Sequence, residues 1–97
     1  MKRVLLVIES EEFGQRLYKD LKKDFAPLLC HNAEDAALMM DQNPDALILE
    51  MGLPGKDGLM FLEELEWRPS VILTLSTGYS AYEVQRLLDL GVGYRLR

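Results

Sequence analysis

Short aliphatic runs alternate along the chain with stretches of helical periodicity. Arg3 to Ile8 (RVLLVI) is followed at once by acids and predicts a buried parallel strand. Ser10 caps a helix opened by Glu11 and Glu12, whose charges suit the positive end of the helix dipole. Phe13, Leu17 and Leu21 recur every four residues as its inward stripe, with Arg16, Lys19, Asp20 and Lys23 mostly off it. Pro27 to His31 (PLLCH) predicts a second strand, and its proline suggests the sheet edge. Asn32 caps a second helix that ends at Asn43-Pro44, because the residue before proline avoids the helical region. Ala46 to Met51 (ALILEM) predicts a third strand, with an unexpected glutamate inside it.

Gly52 to Gly58 is dense in turn formers, and a third helix is expected from about Leu59 to Trp67, with Leu62 and Leu65 inward. Val71 to Ser76 (VILTLS) predicts a fourth strand. Ser80 and Glu83 have capping-box spacing, and Val84, Leu87 and Leu88 give the helix behind them its apolar face. Gly91 falls where a helix C-terminal glycine belongs, and Tyr94 to Arg97 begins a fifth strand. Strand-helix alternation of this kind demands a parallel sheet with helices on both faces and right-handed crossovers. No linker, repeat or low-complexity tract divides the chain, so residues 1–97 are expected to form one domain.

Composition narrows the function classes. The longest apolar run, Val4 to Ile8, is far short of the roughly 20 residues that span a bilayer, so no membrane role is expected. A net charge of −5 disfavours direct nucleic-acid binding by this domain. Cys30 is the single cysteine and reads as a small buried hydrophobe, which points to a reducing cytoplasm. With His31 as the only histidine, no His/Cys metal cluster is available.

In an open α/β sheet, ligands gather at the carboxyl ends of the strands. The residues there are Ile8 and Glu9, then Glu50, Ser76 and Arg97: two carboxylates, a hydroxyl and a guanidinium. Asp57 lies in a turn and reads as a turn former, and Asp45 precedes the third strand at the opposite edge. Trp67 is expected to be partly buried. Gly91-Val-Gly93 follows a helix and is no dinucleotide loop.

Pro44 to Gly58 (PDALILEMGLPGKDG) resembles the phosphoacceptor segment of bacterial response-regulator receiver domains, the CheY-like family. The VLLV strand followed by an acid resembles that family's first strand. Ser76 to Val92 resembles its switch residue, capped fourth helix and Leu-Gly-Val turn, and Tyr94 and Arg97 fall where the family has an aromatic switch residue and a lysine. The resemblance covers the whole chain. It implies a flavodoxin-like, doubly wound parallel sheet of five strands in the order 2-1-3-4-5. It also implies a protein partner: a kinase, an effector domain or a second copy. Family members close with a fifth helix that this chain, ending at Arg97, lacks. Apolar sheet surface should then be exposed, and homodimerisation is its simplest cover.

The departures from the family pattern are specific. A working receiver holds three carboxylates around Mg²⁺, two at the end of the first strand and one that takes the phosphoryl group. Here those positions are Ile8, Glu9 and Glu50, while Ser76 is kept and Arg97 replaces lysine. Ile8 removes a ligand and is expected to put methyl groups into the pocket. Glu50 is longer than aspartate by about 1.5 Å, and phosphoryl transfer depends on positioning. The expectation is therefore a pseudo-receiver that is not an enzyme and not phosphorylated, with no cofactor beyond weak Mg²⁺ binding at Glu9 and Glu50. Glu50 would reach toward Ser76 and Arg97, either fixing an active-like state or marking a degenerate site. The output surface would be Tyr82, Arg86 and Tyr94. The alternatives are a conventional Mg²⁺-dependent phosphoaccepting receiver and a flavodoxin-like enzyme or small-ligand binder.

Overall fold

The computed structural model describes residues 1–96, the side chains of Tyr94 and Arg95 excepted. The expectations for Arg97 and for the Tyr94 side chain lie outside the described residues. Strand β1 (Arg3–Val7) pairs in parallel with β2 (Ala26–Cys30) on one side and β3 (Ala46–Glu50) on the other. Beyond β3 come β4 (Val71–Leu75) and β5 (Tyr94–Leu96), giving a five-stranded parallel sheet in the order β2-β1-β3-β4-β5. Pro27 sits on β2, an edge strand, where one side of the backbone needs no ladder partner. Strands 1, 3 and 4 end one residue before their sequence runs do, which puts Ile8, Met51 and Ser76 just past the carboxyl edge.

Helices α1 (Glu11–Leu21), α2 (Ala33–Met39), α3 (Gly58–Glu64) and α4 (Ala81–Asp89) connect the strands. Each is opened by a side chain that accepts a backbone N–H: Ser10 from Phe13, Asn32 from Asp35, Asp57 from Met60 and Ser80 from Glu83. Ser80 and Glu83 close a full capping box. After α2 comes a 3₁₀ turn (Met40–Gln42), and Asn43 then takes φ 53°, so the stop before Pro44 is made in the left-handed region. Helix α3 stops three residues before the expected Trp67. Leu65 is already extended, and the Leu62 carbonyl accepts the Arg68 guanidinium at 3.1 Å beside a longer bond from the Leu65 N–H at 3.4 Å. Trp67 is left 44% exposed, more open than the sequence suggested.

Alternation along the strands divides the core in two. Leu5, Val7, Leu47, Leu49 and Ile72 point to one side, where α2, α3 and α4 cover them. Val4, Leu6 and Ile8 point to the other and meet Leu17, Tyr18 and Leu21 of α1. The expected α1 stripe is shifted: Gly14 is buried and Phe13 is 42% exposed. A Cβ on Gly14 would stand 3.0 Å from Leu29 Cδ1, so the bare backbone is what lets α1 lie this close to the sheet. In α4, Leu87 is fully buried and Leu88, expected inward, is 52% exposed.

Candidate functional site at the carboxyl edge

Glu50 is the last residue of β3 and shares its alternation with Ala46 and Ile48, so its side chain leaves the sheet on the α1 side. Its Oε1 accepts the Glu9 backbone N–H at 2.8 Å, spanning the gap between the ends of β3 and β1. Glu9 and Glu50 thus meet at this edge, through the backbone of Glu9. The loop that follows β3 is tied to the same point. Gly58 N–H donates to the Met51 carbonyl at 2.9 Å, and a Cβ on Gly58 would come within 2.4 Å of the Glu50 carbonyl oxygen. Glycine is thus required where α3 starts against the site.

Ser76 follows β4, and its N–H donates to the Leu96 carbonyl at 3.0 Å. Its hydroxyl turns into its own loop, donating to Gly78 O at 2.7 Å and accepting from Gly78 N–H at 3.1 Å. Glu50 and Ser76 line one cavity of about 430 Å³ with Phe13, Gly52, Leu75 and Thr77. Glu50 was expected to reach toward Ser76; the two share this cavity, but among the described residues the Glu50 carboxylate is hydrogen-bonded to the Glu9 amide and not to Ser76. The expectation for Ile8 is corrected. Its side chain is fully buried with Val4 and Leu6 under α1, so it lies in the core and not in the pocket.

Mg²⁺ prefers six hard oxygens in near-octahedral array. The carboxylates at this rim are those of Glu9 and Glu50, one oxygen of Glu50 is committed to a backbone N–H, and the third acid position is a buried isoleucine. Among the described residues no group of three or more His, Cys, Asp or Glu side chains is arranged to hold a metal. This donor set does not fit Mg²⁺.

Three residues at this edge escaped sequence reasoning. Phe13 looked like core, yet it forms a wall of the cavity. The Tyr79 hydroxyl stands 2.9 Å from both the Thr74 and Leu96 carbonyls and 3.1 Å from Thr74 Oγ1, joining the ends of β4 and β5. The His31 Nδ1 lies 2.8 Å from the Ile8 carbonyl, joining β2 to β1 beside the rim. Tyr79 and His31 carried no signal in type or spacing, because each acts through a backbone carbonyl brought near only by the fold, and Phe13 has the same four-residue spacing as the core positions Leu17 and Leu21.

Elsewhere, Asp57 acts as the α3 cap, and Asp45 Oδ2 accepts the Arg3 N–H at 2.8 Å at the far edge of the sheet. Tyr82 is exposed on α4. Arg86 beside it is committed to Glu63 of α3, with Nε at 2.9 Å and Nη2 at 2.5 Å from Oε2, a contact that pushes its guanidinium pKa upward. Burial pushes the Cys30 thiol up to about 11, with the Asp35 charge adding and a hydrogen bond from the Asn32 backbone opposing. Among the described residues no helix is long and apolar enough to cross a membrane.

No protein-family model matches the chain. The transcriptional regulatory protein BaeR of Escherichia coli O6:H1 is 30% identical over 93 residues, which cover 94% of this chain and 38% of that protein. The chain thus spans well under half of BaeR. The BeF3-activated N-terminal receiver domain of Klebsiella pneumoniae RstA superposes with a TM-score of 0.82 at 23% identity, covering 98% of this chain and 84% of that one. The chemotaxis response regulator CheY4 of Vibrio cholerae gives a TM-score of 0.84 at 20% identity, covering 98% and 84%. These two likenesses establish the fold, and the BaeR match adds sequence similarity along nearly the whole chain. With its 2-1-3-4-5 parallel sheet and an acid at the end of β3, the chain belongs to the CheY-like family of response-regulator receiver domains.

Proposed function

We propose that the chain is a pseudo-receiver: a signalling module that works by protein–protein contact and takes no phosphoryl group at Glu50. The observation that carries this is the 2.8 Å bond from Glu9 N–H to Glu50 Oε1. The extra methylene of glutamate lets the carboxylate cross to β1, and the bond holds it there. A carboxylate so engaged is poorly placed for in-line attack on a phosphodonor, and among the described residues no cluster of acids is arranged to hold a metal that would neutralise the developing charge.

Of the two states such a site could fix, the hydrogen bonding favours a closed-off scaffold. Glu50 is held by Glu9 and Ser76 by Gly78, so no Glu50–Ser76 grip imitates a phosphoryl group. Partners of the kinase or effector type fit a module of this kind, and the reducing cytoplasm remains the proposed location. The test is intact mass after incubation with acetyl phosphate and Mg²⁺. The expected result is an unchanged mass. A stoichiometric gain of one phosphoryl group would restore the conventional Mg²⁺-dependent receiver.

A further inference from the structure

The peptide between Ile8 and Glu9 is held from both ends. Its carbonyl lies 2.8 Å from Nδ1 of His31, the residue just past β2. Its N–H donates to Glu50 Oε1 at 2.8 Å, at the end of β3. A carbonyl only accepts, so His31 Nδ1 carries a proton and donates it. In the neutral ring Nε2 is then the bare nitrogen. Two bonds that span 23 and 41 residues of sequence thus meet on one rigid amide plane.

Only one freedom of that plane is left open. The Ile8 N–H donates to the Cys30 carbonyl at 3.0 Å, and the Ile8 side chain is fully buried with the residues under α1. What remains is rotation about the Ile8 Cα–C bond, which turns the carbonyl and the Glu9 N–H together. In a trans peptide the two point in opposite directions. Strands β2 and β3 flank β1 on opposite sides. An imidazole that draws the carbonyl toward β2 therefore turns the N–H toward β3 and Glu50. As a mere tie between β2 and β1 the His31 bond would repeat what the Ile8–Cys30 bond already does. Its distinct effect is on the rotation.

We infer that His31 is the positioning residue of this edge: it sets the rotation of the Ile8–Glu9 peptide and so aims the amide that holds Glu50. The ends of β2, β1 and β3 then act as one latch. Closed, it keeps the Glu50 carboxylate on β1. Opened, with the imidazole off the Ile8 carbonyl, it lets the amide swing away and frees Glu50 into the 430 Å³ cavity that it lines. His31 directly precedes Asn32, the cap of α2, so a contact that shifts the start of α2 works the latch from outside. This rests on the reading of Glu50 as held at the Glu9 amide and names the residue that controls the hold.

The experiment is NMR on the 97-residue chain, ¹³C- and ¹⁵N-labelled, as the parent, His31→Ala and His31→Asn. Asparagine keeps an N–H donor where Nδ1 stands. In the parent, the neutral His31 ring should carry its proton on Nδ1, and a scalar coupling should cross the bond from the Glu9 amide nitrogen to the Glu50 carboxyl carbon. His31→Ala should abolish that coupling and speed exchange of the Glu9 amide about tenfold, while His31→Asn keeps the coupling. Glu50→Ala should in turn shift the His31 ring nitrogens, because coupling between sites is reciprocal. The other amide resonances of β1 and β3 should stay in place in both His31 variants, which shows the fold intact. An undiminished coupling in His31→Ala, a neutral ring protonated only on Nε2, or asparagine behaving as alanine would overturn the inference and leave the pseudo-receiver reading standing. A parent without the coupling would remove the Glu9–Glu50 bond, and both readings with it.

Discussion

Glutamate and aspartate differ by one methylene, and at position 50 that methylene decides where the charge rests. Glu50→Ala removes the acceptor of the Glu9 N–H and should lower stability by about 1 kcal/mol, read as a shift in the urea midpoint; Glu50→Gln, which keeps an acceptor, should lose less. Gly58→Ala should lower stability by about 1–3 kcal/mol, because its Cβ would meet the Glu50 carbonyl, whereas Gly52→Ala, with open space around it, should stay within about 1 kcal/mol of the parent. Glu9, Glu50 and Ser76 were legible as edge residues because strand runs end where polar side chains begin. The direction each side chain takes was not legible. It depends on the nearest backbone donor or acceptor, and that neighbour comes from another strand.

Helix starts were written plainly in the chain, since Ser10, Asn32 and Ser80 each bond an amide three residues on, a local geometry that sequence spacing encodes. Ser80→Ala should therefore destabilise by about 1 kcal/mol, seen as a lower unfolding midpoint with the α4 amides losing hydrogen-exchange protection first. Helix ends and faces were less legible. The early end of α3 needs Arg68 to reach back to Leu62, and the turn of α1 away from Phe13 needs the close approach at Gly14. Both are tertiary effects that override a periodic pattern. The sheet order carried over from the family resemblance is the one observed, and the strand bounds moved by a residue at most.

Across the whole molecule, the buried Cys30 thiol makes stability depend on alkaline pH. Its pKa rises from 9.0 to about 11 on folding, so in that window the unfolded chain releases a proton that the folded chain retains. This contribution to stability is fully present below pH 9 and is lost as pH rises through the folded value. Chemical denaturation at pH 8 and at pH 10.5 should show a larger loss for the parent than for Cys30→Ala; equal losses would remove the effect. The same burial should keep the thiol slow toward alkylating reagents until the chain unfolds.

The central claim is that the carboxyl edge is closed by Glu50 holding the Glu9 amide, with no metal and no phosphoryl group in its working state. The most direct measurement follows the backbone amides of Glu9, Gly52, Ser76 and Thr77 by ¹⁵N NMR while Mg²⁺ and then acetyl phosphate are added. The account predicts that these resonances stay in place, while Glu50→Ala alone displaces the Glu9 amide. Saturable movement of all four with Mg²⁺, followed by a second set of peaks when the phosphodonor is added, would contradict it.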